Sequence, residues 1–130
     1  MAVSFLIHIL AKEKMKRNKR IEVYFYRTSA GNEPVREFLQ ALSDEEKKII
    51  GTDIKVVQWR WPTGEPLVKN LGNSVYEIRS TLKNRIARVL FSQIGDKLVL
   101  LHSFIKKTQK TDDNDIKKAI KRLKEVLNEK

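Results

Sequence analysis

Three strand-like runs follow one another in the stretch VYEIRSTLKNRIARVLFSQIGDKLVLLHSFIKK, residues 75–107. The runs cover residues 75–82, 85–94 and 97–107. Lys83-Asn84 and Gly95-Asp96 separate them, and both pairs are typical of short turns. The stretch therefore predicts a meander of antiparallel strands.

The residues before the meander predict a strand and a helical hairpin. Residues 21–28, IEVYFYRT, are apolar on both faces, which predicts a first strand well inside a sheet. Pro34 suits the first position of a helix, and apolar residues follow it at helical spacing. Ser43 and Glu46 form a capping box, so a second helix is expected to start there and run toward Trp59.

A closing amphipathic helix is predicted after Thr111. Its apolar stripe consists of Ile116, Ala119, Ile120, Leu123 and Leu127. The predicted order is β-α-α-β-β-β-α, an α+β domain with a mainly antiparallel sheet. We assign residues 20–130 to this domain and residues 1–19, which include the run AKEKMKRNK, to a basic N-terminal extension.

The net charge of +11 is concentrated in part of the chain. Residues 79–107 carry +6, whereas residues 21–78 carry −2. Such a basic block predicts a polyanionic partner, either a nucleic acid or an acidic protein. The alternative is that the lysines form a solvated surface that only keeps the protein soluble.

Composition argues against several classes of protein. The absence of cysteine excludes disulfides and thiolate metal sites and fits a reducing compartment. The two histidines lie far apart without a ligand cluster, so we expect neither a metal nor another cofactor. No apolar stretch approaches the roughly 18 residues of a membrane span. We therefore expect a cytoplasmic protein without a membrane partner.

The turn at Lys83-Asn84 predicts the register of the first hairpin. A two-residue loop places Leu82 opposite Arg85 and Arg79 opposite Arg88. The apolar side chains of both strands then share the other face: Tyr76, Ile78, Leu82, Ala87, Val89 and Phe91. Because two arginines in opposite positions repel, an anion is expected to lie between them.

The same logic at Gly95-Asp96 assigns faces to the third strand. It places Leu100, His102 and Phe104 on the core side, and Ser103, Ile105 and Lys107 on the side of the arginines. Lys106 would then lie beside Arg85. A slip of one residue would reverse each of these assignments.

His102 has two interpretations at this point. It could be a structural histidine of the core or of a sheet edge, with its ring nitrogens hydrogen-bonded. It could instead be a general acid or base beside a phosphate. Trp59 and Trp61 likewise could stack on bases or cap a core at the end of the second helix.

Several motifs together resemble the RelE/HigB superfamily of toxin ribonucleases, in particular its phage-related HigB-like branch. They are LVKNLGNSVYEIRS, RIARVLFS and LLHSFIKKTQKT, followed by a lysine-rich helix. The resemblance covers roughly residues 21–127 and implies a RelE-like fold.

The resemblance implies the toxin of a type II toxin–antitoxin module. Such a toxin is a metal-independent endoribonuclease that cleaves mRNA on the translating ribosome, leaves a 2′,3′-cyclic phosphate and inhibits translation. Its partners would be mRNA and a cognate antitoxin of helix-turn-helix type.

The resemblance also implies site residues. Arg79, Arg88, Lys106 and Lys107 match the basic active-site positions of the family and are the catalytic candidates, and Lys69 in an approach loop is a looser candidate for RNA binding. His102 joins the catalytic candidates as an acid or base because of its residue type, and Arg85 and Lys110 join the RNA-binding candidates because of their charge.

Two departures from the family pattern leave the general base open. Some relatives have lysine where this chain has Glu77, and others have a tyrosine near the C-terminus, where this chain has none. His102, Glu77 or a lysine could serve, or phosphate clamping could suffice without a base. A second class of function is a non-catalytic basic module that binds RNA or an acidic protein through the same side chains.

Overall fold

The computed structural model describes residues 20–108 and 110–128 of the 130-residue chain. In these residues it has five strands and three helices: β1 (Glu22–Phe25), α1 (Pro34–Gln40), α2 (Asp44–Arg60), β2 (Val68–Gly72), β3 (Val75–Leu82), β4 (Arg85–Ile94), β5 (Lys97–Lys106) and α3 (Asp113–Asn128). The predicted extension at residues 1–19 lies outside the described residues. The α+β class and the C-terminal helix are confirmed.

The five strands form one sheet in the order β1-β5-β4-β3-β2. Strand β1 runs parallel to β5, and the other neighbours are antiparallel, so the mainly antiparallel sheet is confirmed. Strand β2 was not predicted. It has only five residues, and its pairing with β3 shifts register between Asn70 and Gly72, where Gly72 has a φ of +87°. This irregularity interrupts the alternation that identifies a strand in a sequence.

The prediction that β1 lies well inside the sheet is wrong, because β1 is an edge strand. Val23 and Phe25 pack against one core and Tyr26 belongs to the other, whereas Tyr24 is 45% exposed. Apolar residues on both faces showed that β1 contributes to the cores on both sides of the sheet. They did not show how many strands are neighbours.

The local signals of the helical hairpin are confirmed. Pro34 is the first residue of α1, where its missing N–H costs no helical hydrogen bond. Ser43 caps α2, because its Oγ accepts a hydrogen bond from the backbone N–H of Glu46 at 3.2 Å. The helix continues to Arg60, and Trp61 after it is extended, as expected for a residue before proline.

The two faces of the sheet carry separate cores. Helices α1 and α2 cover one face, where Val35, Ile50 and Val57 are buried among apolar strand residues. We call this side the helical-hairpin face. Helix α3 packs through Ala119 and Leu123 on the other side, which we call the arginine face because it carries Glu77, Arg79 and Arg88.

The predicted register of the first hairpin is confirmed. Arg79 pairs with Arg88 and Leu82 with Arg85. The predicted core side is also confirmed, since its buried members belong to the core under α1 and α2: Ile78, Leu82, Ala87, Val89 and Phe91.

The faces predicted for the end of β5 are wrong, because β5 contains a bulge. Phe91 pairs with Leu100 but Leu90 pairs with His102, so Leu101 is an additional residue in β5. Arg122 Nη1 donates a hydrogen bond to the carbonyl oxygen of Leu101 at 2.7 Å.

The bulge exchanges the two faces from His102 onward. His102 and Phe104 lie on the arginine face, opposite Leu90 and Arg88. Ser103 and Ile105 lie on the helical-hairpin face, and Ile105 packs against its core.

Candidate functional site

The centre of the arginine face is a carboxylate between two guanidinium groups. Arg79 Nε lies 2.6 Å from Glu77 Oε1, and Arg88 Nη1 lies 3.6 Å from the same oxygen. The side chains of Glu77 and Arg88 are 0% exposed, and that of Arg79 is 17% exposed. The anion expected between the arginines is therefore supplied by the chain itself.

Arg88 also holds the segment that follows β5. Its Nη1 donates to Thr111 Oγ1 at 2.8 Å, and its Nη2 donates to the carbonyl oxygen of Thr108. The Thr111 hydroxyl in turn donates to Glu77 Oε2. Buried charges require such partners, since an isolated one would be costly to remove from water.

Sequence reasoning missed Glu77 and Thr111 as members of this network. The sequence indicates Glu77 only as a departure from the family pattern and as one of several candidate bases, although its position two residues before Arg79 places both on one face of β3. That spacing was the available signal. Thr111 lies in a polar segment between elements, where no periodicity marks a buried residue.

Lys106 lies on the arginine face, since it pairs with Ile86 beside Arg88. The prediction that it lies beside Arg85 is wrong, and the bulge in β5 is the reason. Its Nζ forms ion pairs with Asp112 Oδ2 and, at 3.5 Å, with Asp115 Oδ2. The hydrogen bond with Asp112 raises the pKa of Lys106 above its ordinary value. Lys106 is thus a cation near neutral pH and not a proton acceptor.

His102 is mostly buried beside the N-terminal turn of α3. Its side chain is 12% exposed, and Nε2 lies 2.7 Å from Asp115 Oδ1. Burial lowers the pKa of His102 below its ordinary value, and it outweighs the hydrogen bond to Asp115, which acts in the opposite direction. Arg122 and Lys118 lower this pKa further. The imidazole is therefore neutral near pH 7 and able to accept a proton.

The remaining predicted residues lie in three places. Lys69 is in β2 and not in a loop, and it pairs with Glu77, which places it on the arginine face. Lys107 and Lys110 are exposed in the segment after β5. Arg85 is on the helical-hairpin face, where its Nη2 donates to Glu46 Oε2 of α2.

The structure thus brings most of the predicted residues to one face. The arginine face carries five of them, in and next to the part that α3 covers: Lys69, Arg79, Arg88, His102 and Lys106. Arg85 does not join them.

The two tryptophans lie away from these residues, at the other end of the sheet. Trp61 packs edge-on against Tyr76 and Phe91, and the ring centroids are 5.0 and 5.1 Å apart. Trp59 is 53% exposed.

The part of the chain that the structure describes has neither a metal-binding cluster nor a membrane-spanning helix. No group of three or more His, Asp or Glu side chains in that part of the chain is placed to hold a metal ion. None of its helices is both long and apolar enough to cross a membrane.

A five-stranded, mainly antiparallel sheet with a C-terminal helix is consistent with the RelE-like fold. The family model described as Phage derived protein Gp49-like (DUF891) matches residues 37–124, which is more than half of the chain. The chain therefore belongs to this family. The family is of the RelE/Gp49 toxin-like type and is associated with the toxins of toxin–antitoxin systems, which implies a cognate antitoxin as partner. No curated protein matches the chain.

Proposed function

We propose that this protein is the toxin of a type II toxin–antitoxin module and a metal-independent endoribonuclease. It would act in the cytoplasm as a member of the HigB-like branch, cleave mRNA on the ribosome and so inhibit translation. The observation that supports this proposal is the convergence of basic groups from three strands on one face. Lys69 comes from β2, Arg79 from β3 and Lys106 from β5. Lys107 and Lys110 follow in the exposed segment after β5.

The proposed reaction is attack of a ribose 2′-hydroxyl oxygen on the adjacent phosphorus. The bond from phosphorus to the 5′-oxygen breaks, which leaves a 2′,3′-cyclic phosphate and a 5′-hydroxyl. A base takes the proton of the 2′-hydroxyl, and the leaving 5′-oxygen takes up a proton from the protonated base or from water. Negative charge develops on the phosphoryl oxygens, and fixed cations stabilise it best when they are oriented in advance.

The arginine face provides groups suited to these steps. Arg79 is the partly exposed guanidinium, and its contact with Glu77 orients it. Lys106 is a cation held by Asp112 and Asp115. His102 is the candidate proton carrier, because a neutral imidazole paired with a carboxylate can accept a proton on its other nitrogen. We assign Arg88 a positioning role because its side chain is 0% exposed.

One observation favours a second candidate function, a non-catalytic module that binds RNA or an acidic protein. Arg79 and Arg88 both contact Glu77, so one of their two positive charges is neutralised within the chain. The exposed lysines would then provide phosphate contacts alone.

The test is cleavage of a defined mRNA by the purified protein, with and without ribosomes and in the presence of a chelator. We expect fragments with 2′,3′-cyclic phosphate and 5′-hydroxyl ends, and growth arrest when the protein is expressed in a bacterium. Lys48→Gln/Lys55→Gln is the matched control, because both lysines are exposed on α2, across the sheet from the arginine face. Binding without cleavage would support the second candidate. A soluble, abundant protein that leaves RNA and growth unchanged would contradict the first.

We also propose that the antitoxin is of helix-turn-helix type and that charge steers its encounter with this basic domain. It could cover the basic groups of the arginine face or bind the outer helices and block access to the ribosome. Competition between the antitoxin and a short RNA for the toxin would distinguish these modes, because only an antitoxin on the arginine face displaces the RNA.

A further inference from the structure

Thr111 is a buried residue between β5 and α3 to which the proposed reaction assigns no role. It is 6% exposed. Its hydroxyl oxygen accepts a hydrogen bond from Arg88 Nη1 at 2.8 Å, and its proton is donated to Glu77 Oε2. A hydroxyl can do both at once, so this single group joins the two buried charges of the arginine face.

Arg88 holds the same segment at a second point, because its Nη2 donates to the carbonyl oxygen of Thr108. The segment is therefore attached to one buried side chain at Thr108 and again at Thr111. The exposed residues Lys107 and Lys110 each directly precede one of these attached threonines. The attachments thus hold the backbone next to both lysines, from which their side chains extend.

Such attachment matters for binding a flexible polyanion. A mobile segment loses conformational entropy when it binds, whereas a segment that is ordered by folding has already lost it. Lysines held in place next to the end of β5 would add two positive charges to those of Arg79 and Lys106. Lysines on a mobile segment would contribute less to affinity.

We propose that Thr111 is a positioning residue for RNA binding. The bridge Arg88–Thr111–Glu77 holds Lys107 and Lys110 beside the arginine face, where they bind phosphates of single-stranded RNA. Thr111 itself does not touch the RNA. The inference rests on the proposed function for the identity of the polyanion, but it does not require that the RNA is cleaved.

The test compares Thr111→Val with Thr111→Ser. Valine keeps the shape of threonine without the hydroxyl, and serine restores the hydroxyl. We measure the Kd for a fully 2′-O-methylated RNA oligonucleotide, which cannot be cleaved, over a range of salt concentrations. The valine variant should bind about tenfold more weakly at low salt, and its slope of log K against log salt should be shallower by about 0.7 for each lost phosphate contact. The serine variant should bind within about twofold of the wild type.

The variant Lys107→Gln/Lys110→Gln shows whether Thr111 acts through these lysines. It should show the same reduced salt slope, and adding Thr111→Val to it should weaken binding by less than about a further twofold. If Thr111→Val keeps the wild-type salt slope, or if its effect adds fully to that of the lysine changes, the proposal is wrong.

Trypsin cleavage of the folded wild-type protein tests the attachment even if Thr111→Val does not fold. The bonds after Lys107 and Lys110 should be cut far more slowly than in a peptide of residues 104–114. Equal rates would show that the segment is not held and would overturn the proposal. Neither the RNA-binding measurements nor the trypsin measurement requires cleavage of RNA. A failure of the proposed ribonuclease activity can therefore be distinguished from a failure of the proposed role of Thr111.

Discussion

Glu77 accepts a hydrogen bond from Arg79 Nε at 2.6 Å, and both side chains extend from the same face of β3. Arg88 on the neighbouring strand lies 3.6 Å from the same carboxylate oxygen. Two guanidinium groups in opposite positions on paired strands repel each other, and the carboxylate between them offsets this repulsion. The three groups therefore form one unit, in which Arg88 supports the fold and Arg79 reaches the surface.

Replacing Arg88 by alanine should destabilise the protein. The change leaves the buried Glu77 carboxylate without one of its cationic partners and leaves Thr111 without a donor. Breaking a buried ion pair in this way costs roughly 3–5 kcal/mol. Urea unfolding followed by circular dichroism measures the loss. Arg79→Ala is the matched control and should lose less, because Glu77 keeps Arg88. Equal losses, or a gain in stability for Arg88→Ala, would contradict the assignment.

Replacing Arg79 by lysine should separate activity from stability. Lysine keeps the positive charge beside Glu77, so the free energy of unfolding should fall by less than about 1 kcal/mol. It lacks the planar fork that binds two phosphate oxygens, and the loss of one such donor should reduce the rate of RNA cleavage by about 100-fold or more. Cleavage assays at saturating RNA measure this. An Arg79→Lys protein with wild-type activity would show that Arg79 contributes only its charge.

His102 should make stability depend on pH. Burial lowers its pKa in the folded protein below the ordinary 6.5, so the unfolded chain binds more protons as the pH falls through 6.5. The free energy of unfolding should therefore be undiminished above about pH 6.5 and should decrease as the pH falls below it.

The comparison that isolates this effect is wild type against His102→Gln, with urea unfolding measured from about pH 7.5 to about pH 5. In the variant, the free energy of unfolding should decrease less as the pH falls, because His102 no longer takes up a proton. His8, the other histidine of the chain, is present in both proteins and contributes equally. Parallel curves for the two proteins would show that His102 titrates normally in the folded state.

The sequence predicted the parts of the fold that depend on local signals. The two-residue turn at Lys83-Asn84 determined the register of β3 and β4, so the opposition of Arg79 and Arg88 could be predicted. Pro34 and Ser43 marked the starts of α1 and α2 in the same way. Each of these signals acts within a few residues of the chain.

Features that depend on tertiary contacts could not be predicted. The bulge at Leu101 moved His102 to the arginine face, and the side chain that bonds to the Leu101 carbonyl, Arg122, comes from α3. The charge of Arg85 predicts that it belongs to the site, but its partner Glu46 lies in α2, 39 residues earlier in the chain. Thr111 became a site residue only because two buried charges meet there.

The lysine pair at the end of β5 provides the sharpest test of what the basic face does. Lys106 lies on the arginine face and is a cation that pairs with Asp112 and Asp115. Lys107 is exposed directly after β5. Lys106→Gln/Lys107→Gln removes both charges from the proposed path of the RNA. It should abolish growth arrest on induced expression and weaken antitoxin binding only modestly, because the antitoxin has further contacts to use. Lys48→Gln/Lys55→Gln removes the same charge from α2 and should still arrest growth. If the Lys106/Lys107 variant arrests growth at wild-type expression, these lysines are a solvated strand end and the RNA takes another path across the protein.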